Sequence, residues 1–148
     1  MVDYKKQGAL NRKHGADFER ATRKHLLKKG FIVDKWTNNV DLEKQEIVPA
    51  KSNPFNRFNK SGSGFPDFLA FYKSSKSGSN QYYSLIFVEC KINKELSRLE
   101  KEKMNFLMKE GFNCWVAYKG YKMSEVLMER LTPFILRKLK NKEKLTGS

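Results

Sequence analysis

Asp67, Glu89 and Lys91 are the residues whose types and spacing could carry chemistry in this chain. They sit at the two ends of residues 64–91, which open with Gly64-Phe65-Pro66-Asp67-Phe68 and close with Phe87-Val88-Glu89-Cys90-Lys91. Between them, residues 68–72 and 82–88 read as strands, joined by a Ser/Gly/Lys turn over residues 74–80. Side chains alternate along a strand, so Glu89 and Lys91 point to the same side. Asp67 stands at the start of the neighbouring strand, and pairing the strands brings it beside Glu89. Two acids and a lysine at one end of an apolar hairpin are costly unless something compensates them. A divalent cation held by both carboxylates is the natural compensation, with the lysine left to hold a water or a phosphate.

The rest of the composition narrows the partner. Lys and Arg number 30 against 16 Asp and Glu, a net charge of +14. A balance this lopsided implies a polyanion, and nucleic acid is the first candidate. With 148 residues, 39% of them hydrophobic, the chain is expected to form one domain with a substantial core. Cys90 and Cys114 both lie in apolar, strand-like runs and read as small buried residues of a reducing compartment. No Cys/His cluster of zinc spacing occurs, and no run reaches membrane-spanning length or resembles a leader. The expectation is an intracellular protein without a membrane partner.

Several elements must position these side chains. Residues 1–13 are polar and basic and read as a flexible arm suited to a phosphate backbone. Residues 15–29 turn helical, with Phe18, Ala21, His25 and Leu26 near one face and Gly30 closing the segment. Glu19 borders that apolar stripe, where a helical Glu is ordinarily a boundary residue with its head in water. Residues 31–36 read as a strand. Residues 38–65 form a long connection in which 46–50 can extend a strand. Long connections are functional or floppy; here Lys51, Arg57 and Lys60 suit phosphate contact, and Phe55 and Phe58 suit base stacking. A second helix starts at the capping-box pattern Ser97-x-x-Glu100 and ends by Gly111, with Leu99, Met104, Phe106 and Leu107 as its buried stripe. Glu100 and Lys103 fall inside that stripe. Glu100 is accounted for by capping, whereas Lys103 is either a snorkelling lysine or a group directed at the site. Residues 113–119 read as a buried strand, and residues 124–131 and 132–140 as two short helices, the second restarted by Thr132-Pro133.

Pro66-Asp67 followed by Glu89-Cys90-Lys91 resembles the PD-(D/E)xK motif of restriction-endonuclease-like nucleases. Gly15-x-x-Phe18-Glu19-Arg20, with Leu26 and Gly30-Phe31-Ile32-Val33, resembles the first helix and strand of archaeal-type Holliday-junction resolvases. In that family the matching Glu points into the active site, which singles out Glu19 over Asp17, two helical residues and about 200° away. Ser61 and Ser63 loosely match the resolvases' Ser-Gly before Pro-Asp, and Glu100 aligns with a Gln of VRR-Nuc-type relatives. The resemblance spans residues 15–120 and implies an α/β fold, an αβββαβ core with a mixed central sheet and the site at one sheet edge, followed by C-terminal helices. It further implies a DNA endonuclease using Mg2+ or Mn2+. Asp67, Glu89 and the Cys90 carbonyl would hold the metal, Glu19 would assist, and Lys91 would orient the nucleophile or stabilise charge. A junction resolvase would act as a symmetric homodimer. A restriction-type or replication- and repair-associated nuclease would share every one of these residues, and a non-catalytic basic DNA-binding protein would share the charge. An RNA enzyme fits the charge alone.

Overall fold

The computed structural model describes residues 3–51, 64–122 and 124–139. Helix α1 covers Tyr4–Lys28, so the expected flexible arm is helical almost from its start. Asp3 caps it, its carboxylate accepting from the Lys5 and Lys6 amides at 3.1 and 3.3 Å, and the Lys, Gln, Ala, Leu and Arg residues that follow are good helix formers. Only Phe18, Thr22 and Leu26, four apart, are buried along its length. These three turn one face onto the sheet.

The main sheet has five strands in the order β1 (Ile32–Lys35), β4 (Phe68–Ser77), β5 (Asn80–Cys90), β6 (Asn113–Lys119), β7 (Val126–Arg130). All neighbours are antiparallel except β5 and β6, so the sheet is mixed. The parallel step needs a crossover, and helix α2 (Arg98–Lys109) supplies it. A separate two-stranded ribbon, β2 (Asn38–Asp41) with β3 (Glu46–Pro49), occupies the start of the long connection. Asp41 accepts from the Glu43 and Lys44 amides and so folds the turn between them.

The strand alternation sorts the core into two faces. Phe68, Ala70, Ile86, Val88, Ala117 and Val126 pack with Phe18 and Leu26 of α1. On the other face Phe87, Cys114 and Val116 pack with Leu96 and with Met104, Phe106 and Leu107 of α2. Leu131 and Leu136 join that second face through α3 (Pro133–Lys138). The architecture is mixed α/β, with helices on both faces of the sheet.

Four further expectations are corrected. The hairpin is longer than residues 68–88: β4 and β5 pair out to Ser77 and Asn80 and leave only a two-residue turn at Gly78 (φ 59°) and Ser79. Polar Ser and Lys residues suit an exposed ribbon as well as a loop. Residues 124–131 are not a helix; Val126–Arg130 is the edge strand β7, and so short an apolar run fits either period until β6 offers it a ladder. Leu99 is 54% exposed, because the phase set by the cap at Ser97 turns Met104 and Leu107 inward instead. The acidic cluster lies at the ends of β4 and β5 inside the sheet, since β1 and β7 take its edges.

Candidate active site

Register places the first two acids. Phe68 pairs with Val88, so one step outward Asp67 faces Glu89. Asp67 has the parity of Leu69 and Glu89 that of Phe87, both of which pack on the α2 face. The two side chains therefore leave the sheet on the same side. Their carboxylates are tied reciprocally to the backbone. The Asp67 amide donates to Glu89 Oε2 at 3.1 Å, and the Cys90 amide donates to Asp67 Oδ2 at 2.8 Å. The Asp67 carbonyl in turn accepts from Trp36 N at 3.0 Å, which ties the end of β1 to the same corner.

Lys91 and Glu100 complete the cluster. Lys91 Nζ lies 2.7 Å from Glu100 Oε2 and 3.8 Å from Glu89 Oε1. Glu100 also serves its own helix: its Oε1 accepts from Ser97 N at 3.3 Å, while its amide donates to Ser97 Oγ at 3.1 Å. The capping box therefore aims one carboxylate at the lysine. Lys91 N donates to the Ala117 carbonyl at 2.9 Å, which fixes the lysine's backbone where β5 leaves the sheet.

The electrostatics of this cluster are those of an under-compensated pair. Glu89 is only 5% exposed. Burial, and then the charge of Asp67, hold its carboxyl well above the ordinary carboxylate range, against the opposing pull of Lys91. Burial likewise raises Asp67, with the Cys90 amide and Lys91 pulling the other way. Each acid therefore resists ionising beside the other in the absence of a cation. The Lys91 ammonium is held above its usual range by Glu100 and Glu89 despite the opposing effect of burial, and stays charged.

Glu19 lies on α1, over the opposite face of the sheet, near enough for the charge of Asp67 to act on it. It is half-buried, and burial followed by the charge of Asp67 raises its carboxyl, while Lys35 and Arg20 lower it. Asp17, the rival acid, is ion-paired with Arg20 near the surface. The Cys90 thiol points to Thr22 of α1 and is pushed far up by burial, which leaves it inert as a nucleophile.

No protein-family model, no curated protein and no solved structure matches this chain.

The expected residues divide accordingly. Asp67, Glu89, Lys91 and Glu100 are brought together, and Glu19 stands within electrostatic range of Asp67 without a direct contact among the described interactions. Lys103 is not; its ammonium donates to Asn39 Oδ1 at 2.9 Å and stands 5.7 Å from the centre of the Phe65 ring. With Lys51, Leu99 and Asn39 it lines a neighbouring cavity of about 380 Å³ between α2 and the β2–β3 ribbon. Phe55, Arg57, Phe58, Lys60, Ser61 and Ser63 lie outside the described residues. Lys35 was not anticipated at the site. Its register opposite Phe68 puts it one step from Asp67, a signal that needs the β1–β4 pairing to be known.

A divalent metal can be tested against these donors. Among the described residues, no three His, Cys, Asp or Glu side chains form a ready-made metal cluster. Asp67 and Glu89 nonetheless have the right chemistry. Each gives one oxygen to a backbone amide, and their mutual repulsion inside a buried niche is what a cation would relieve. Two carboxylates with the remaining positions left to water and phosphate suit Mg2+, which keeps much of its hydration. The residues fit a hard divalent cation.

Proposed function

We propose that this protein is a metal-dependent nuclease that hydrolyses phosphodiester bonds in DNA. The observation that carries the reading is the convergence of Asp67, Glu89 and Lys91 at one end of β4 and β5, with Glu89 buried and repelled by Asp67. The net charge of +14 supports a polyanionic substrate. The arrangement agrees with the PD-(D/E)xK resemblance, including an αβββαβ order made by α1, β1, β4, β5, α2 and β6.

Mg2+ or Mn2+ held by Asp67 and Glu89 would supply Lewis-acid polarisation of the phosphate and a more acidic water. The protein's own groups do the positioning. Lys91, charged and held by Glu100, donates hydrogen bonds to the attacking water or to a non-bridging phosphate oxygen as negative charge grows there. Glu19, with its raised carboxyl, orients a water from the α1 side. Water adds to phosphorus, the bond to the leaving oxygen breaks, and that oxygen takes up a proton. The narrower reading is a structure-specific enzyme of the junction-resolvase kind acting as a homodimer inside the cell; a restriction-type or repair-associated nuclease uses the same residues. Among the described residues no helix is long and apolar enough to cross a membrane.

A second reading has its own observation. Both acids accept backbone amides, so they could close the strand ends of a non-catalytic DNA-binding protein. A cleavage panel over duplex, single-stranded, flap and four-way-junction DNA, with and without Mg2+, separates the two. Mg2+-dependent cleavage lost in Glu89→Gln supports the nuclease. DNA binding with no cleavage of any substrate by the wild-type chain, in Mg2+ or Mn2+, favours the binding protein.

A further inference from the structure

The first ten residues of α1 are helical but rest on nothing. From Asp3 to His14 every residue except Gly8 is exposed, whereas burial begins only at Phe18. Their direction follows from the chain. Gly30 and Phe31 join the C-terminal end of α1 to β1, and β1 then runs back toward Asp67, since Lys35 pairs with Phe68 and Trp36 N bonds the Asp67 carbonyl. The N-terminal end of α1 is therefore at the active-site end of the sheet. It leaves the body where His14 and Asp17 line a small cavity with Ile92 and Lys119, just past Lys91. The free turns extend outward from there.

Two of the four Lys/Arg residues on this extension line up with a residue of the site. Lys5, Arg12 and Glu19 are seven apart, and a seven-residue step on a helix drifts by only ~20°. The side of α1 that carries Glu19, whose carboxyl feels the charge of Asp67, thus carries Arg12 and then Lys5, on a line about 21 Å long. Both are exposed, and among the described residues neither has an ion-pair partner. Off that line, Lys6 pairs with Asp3 and Arg20 with Asp17, while Lys13 is exposed beside Arg12.

We infer that the projecting turns of α1 are a DNA-backbone contact surface in which Lys5 and Arg12 hold phosphates on the approach to the Glu19 side of the active site. The line is as long as about six phosphate steps on one strand at 3.4 Å each. Among the described residues its two cations are unpaired, its face carries no apolar stripe for a protein partner, and it ends at Glu19, at the end of α1 nearest the acids. The inference rests on DNA being the substrate, as proposed above.

The test uses the full chain with Lys5→Ala and Arg12→Ala together. The control is Lys24→Ala with Lys28→Ala, which removes the same charge from the far end of the same helix. Alanine keeps the helix, which circular dichroism checks. DNA affinity is measured over a range of salt in EDTA, and cleavage separately in Mg2+. The site doublet should weaken duplex binding about tenfold at low salt and flatten the slope of log K against log salt by about two units, while the control does neither. Equal effects of both doublets would mean that the ridge is only part of a diffuse positive surface, and the inference falls. It also falls if the wild type binds no DNA, if the slope is unchanged, or if the site doublet alters only self-association in sedimentation. A flattened slope in a chain that cuts nothing would uphold this surface and sink the nuclease reading. Mg2+-dependent cutting that needs Glu89 but ignores Lys5 and Arg12 would do the reverse.

Discussion

Lys91 Nζ lies 2.7 Å from Glu100 Oε2, and the same glutamate closes the capping box of α2 through Ser97. One carboxylate thus starts a helix and aims the proposed catalytic ammonium. The two duties can be separated, because Gln also serves at the third position of a capping box but carries no charge. Glu100→Gln should keep the helix start and cost about 1–2 kcal/mol, for the ion pair lost to Lys91. It should lower kcat by about tenfold to a hundredfold, the scale of a mispositioned group. Glu100→Ala should show the same kinetic loss and in addition about 1 kcal/mol of destabilisation. Thermal unfolding and steady-state cleavage together check this; a kinetic loss in Ala but not in Gln would confine Glu100 to capping.

The repulsion between Asp67 and Glu89 makes a prediction about stability that does not depend on any substrate. Neutralising one acid removes it while the amide-accepting oxygen is kept. Glu89→Gln should raise the metal-free Tm by about 3 °C, equivalent to ~1 kcal/mol at this size. The same variant should lose Mg2+-dependent cleavage. Calorimetry in EDTA is the measurement, and a lowered Tm would mean that the ionised pair is stabilising.

The pH dependence follows with a definite sign. Glu89 and Asp67 have folded-state values raised above their ordinary 4.5 and 3.8. Their favourable contribution is therefore complete below those ordinary values and is lost as pH rises through the elevated ones. Metal-free protein should lose stability as pH rises above the ordinary carboxylate range, and Glu89→Gln should reduce that decline. Saturating Mg2+ should offset the loss mainly at the upper end, because it binds the ionised pair. A metal-free Tm difference between wild type and Glu89→Gln that stays flat with pH would contradict the raised values.

Gly64 stands where a side chain cannot. A Cβ there would come within 2.1 Å of the Trp36 carbonyl oxygen and 2.8 Å of the Asn38 carbonyl oxygen. These backbones are pinned, Phe65 N to Asn38 O at 2.9 Å and Trp36 N to Asp67 O at 3.0 Å. Gly64→Ala should cost about 2–3 kcal/mol, or roughly 6–10 °C in Tm. Gly15→Ala, in α1 with nothing within 4 Å of its Cβ position, should instead be neutral or mildly stabilising. Parallel melts of the two variants provide the check, and a neutral Gly64→Ala would show that this corner is loosely packed.

Local chemistry was readable in the residue order. Alternation over Phe87-Val88-Glu89-Cys90-Lys91 puts Glu89 and Lys91 on one side of a strand whatever that strand packs against. Ser97-x-x-Glu100 starts one helix and Thr132-Pro133 starts another, because caps act within a single turn. The apolar run at 113–119 is β6, with the same bounds in sequence and structure. What tertiary structure decided is everything that needs a partner distant in the chain. Residues 126–130 are a strand because β6 leaves them a free edge, where a short apolar run alone allows a helix. Leu99 is exposed and Lys103 is turned to Asn39 because the packing phase of α2, not its composition, selects the buried face. Glu19 and Lys35 come near Asp67 only because β1 pairs antiparallel with β4 and draws α1 over the same corner. Side-chain alternation and capping are set by neighbouring residues, so sequence alone determines them; register and burial are set by contacts between elements, and only the folded chain contains those.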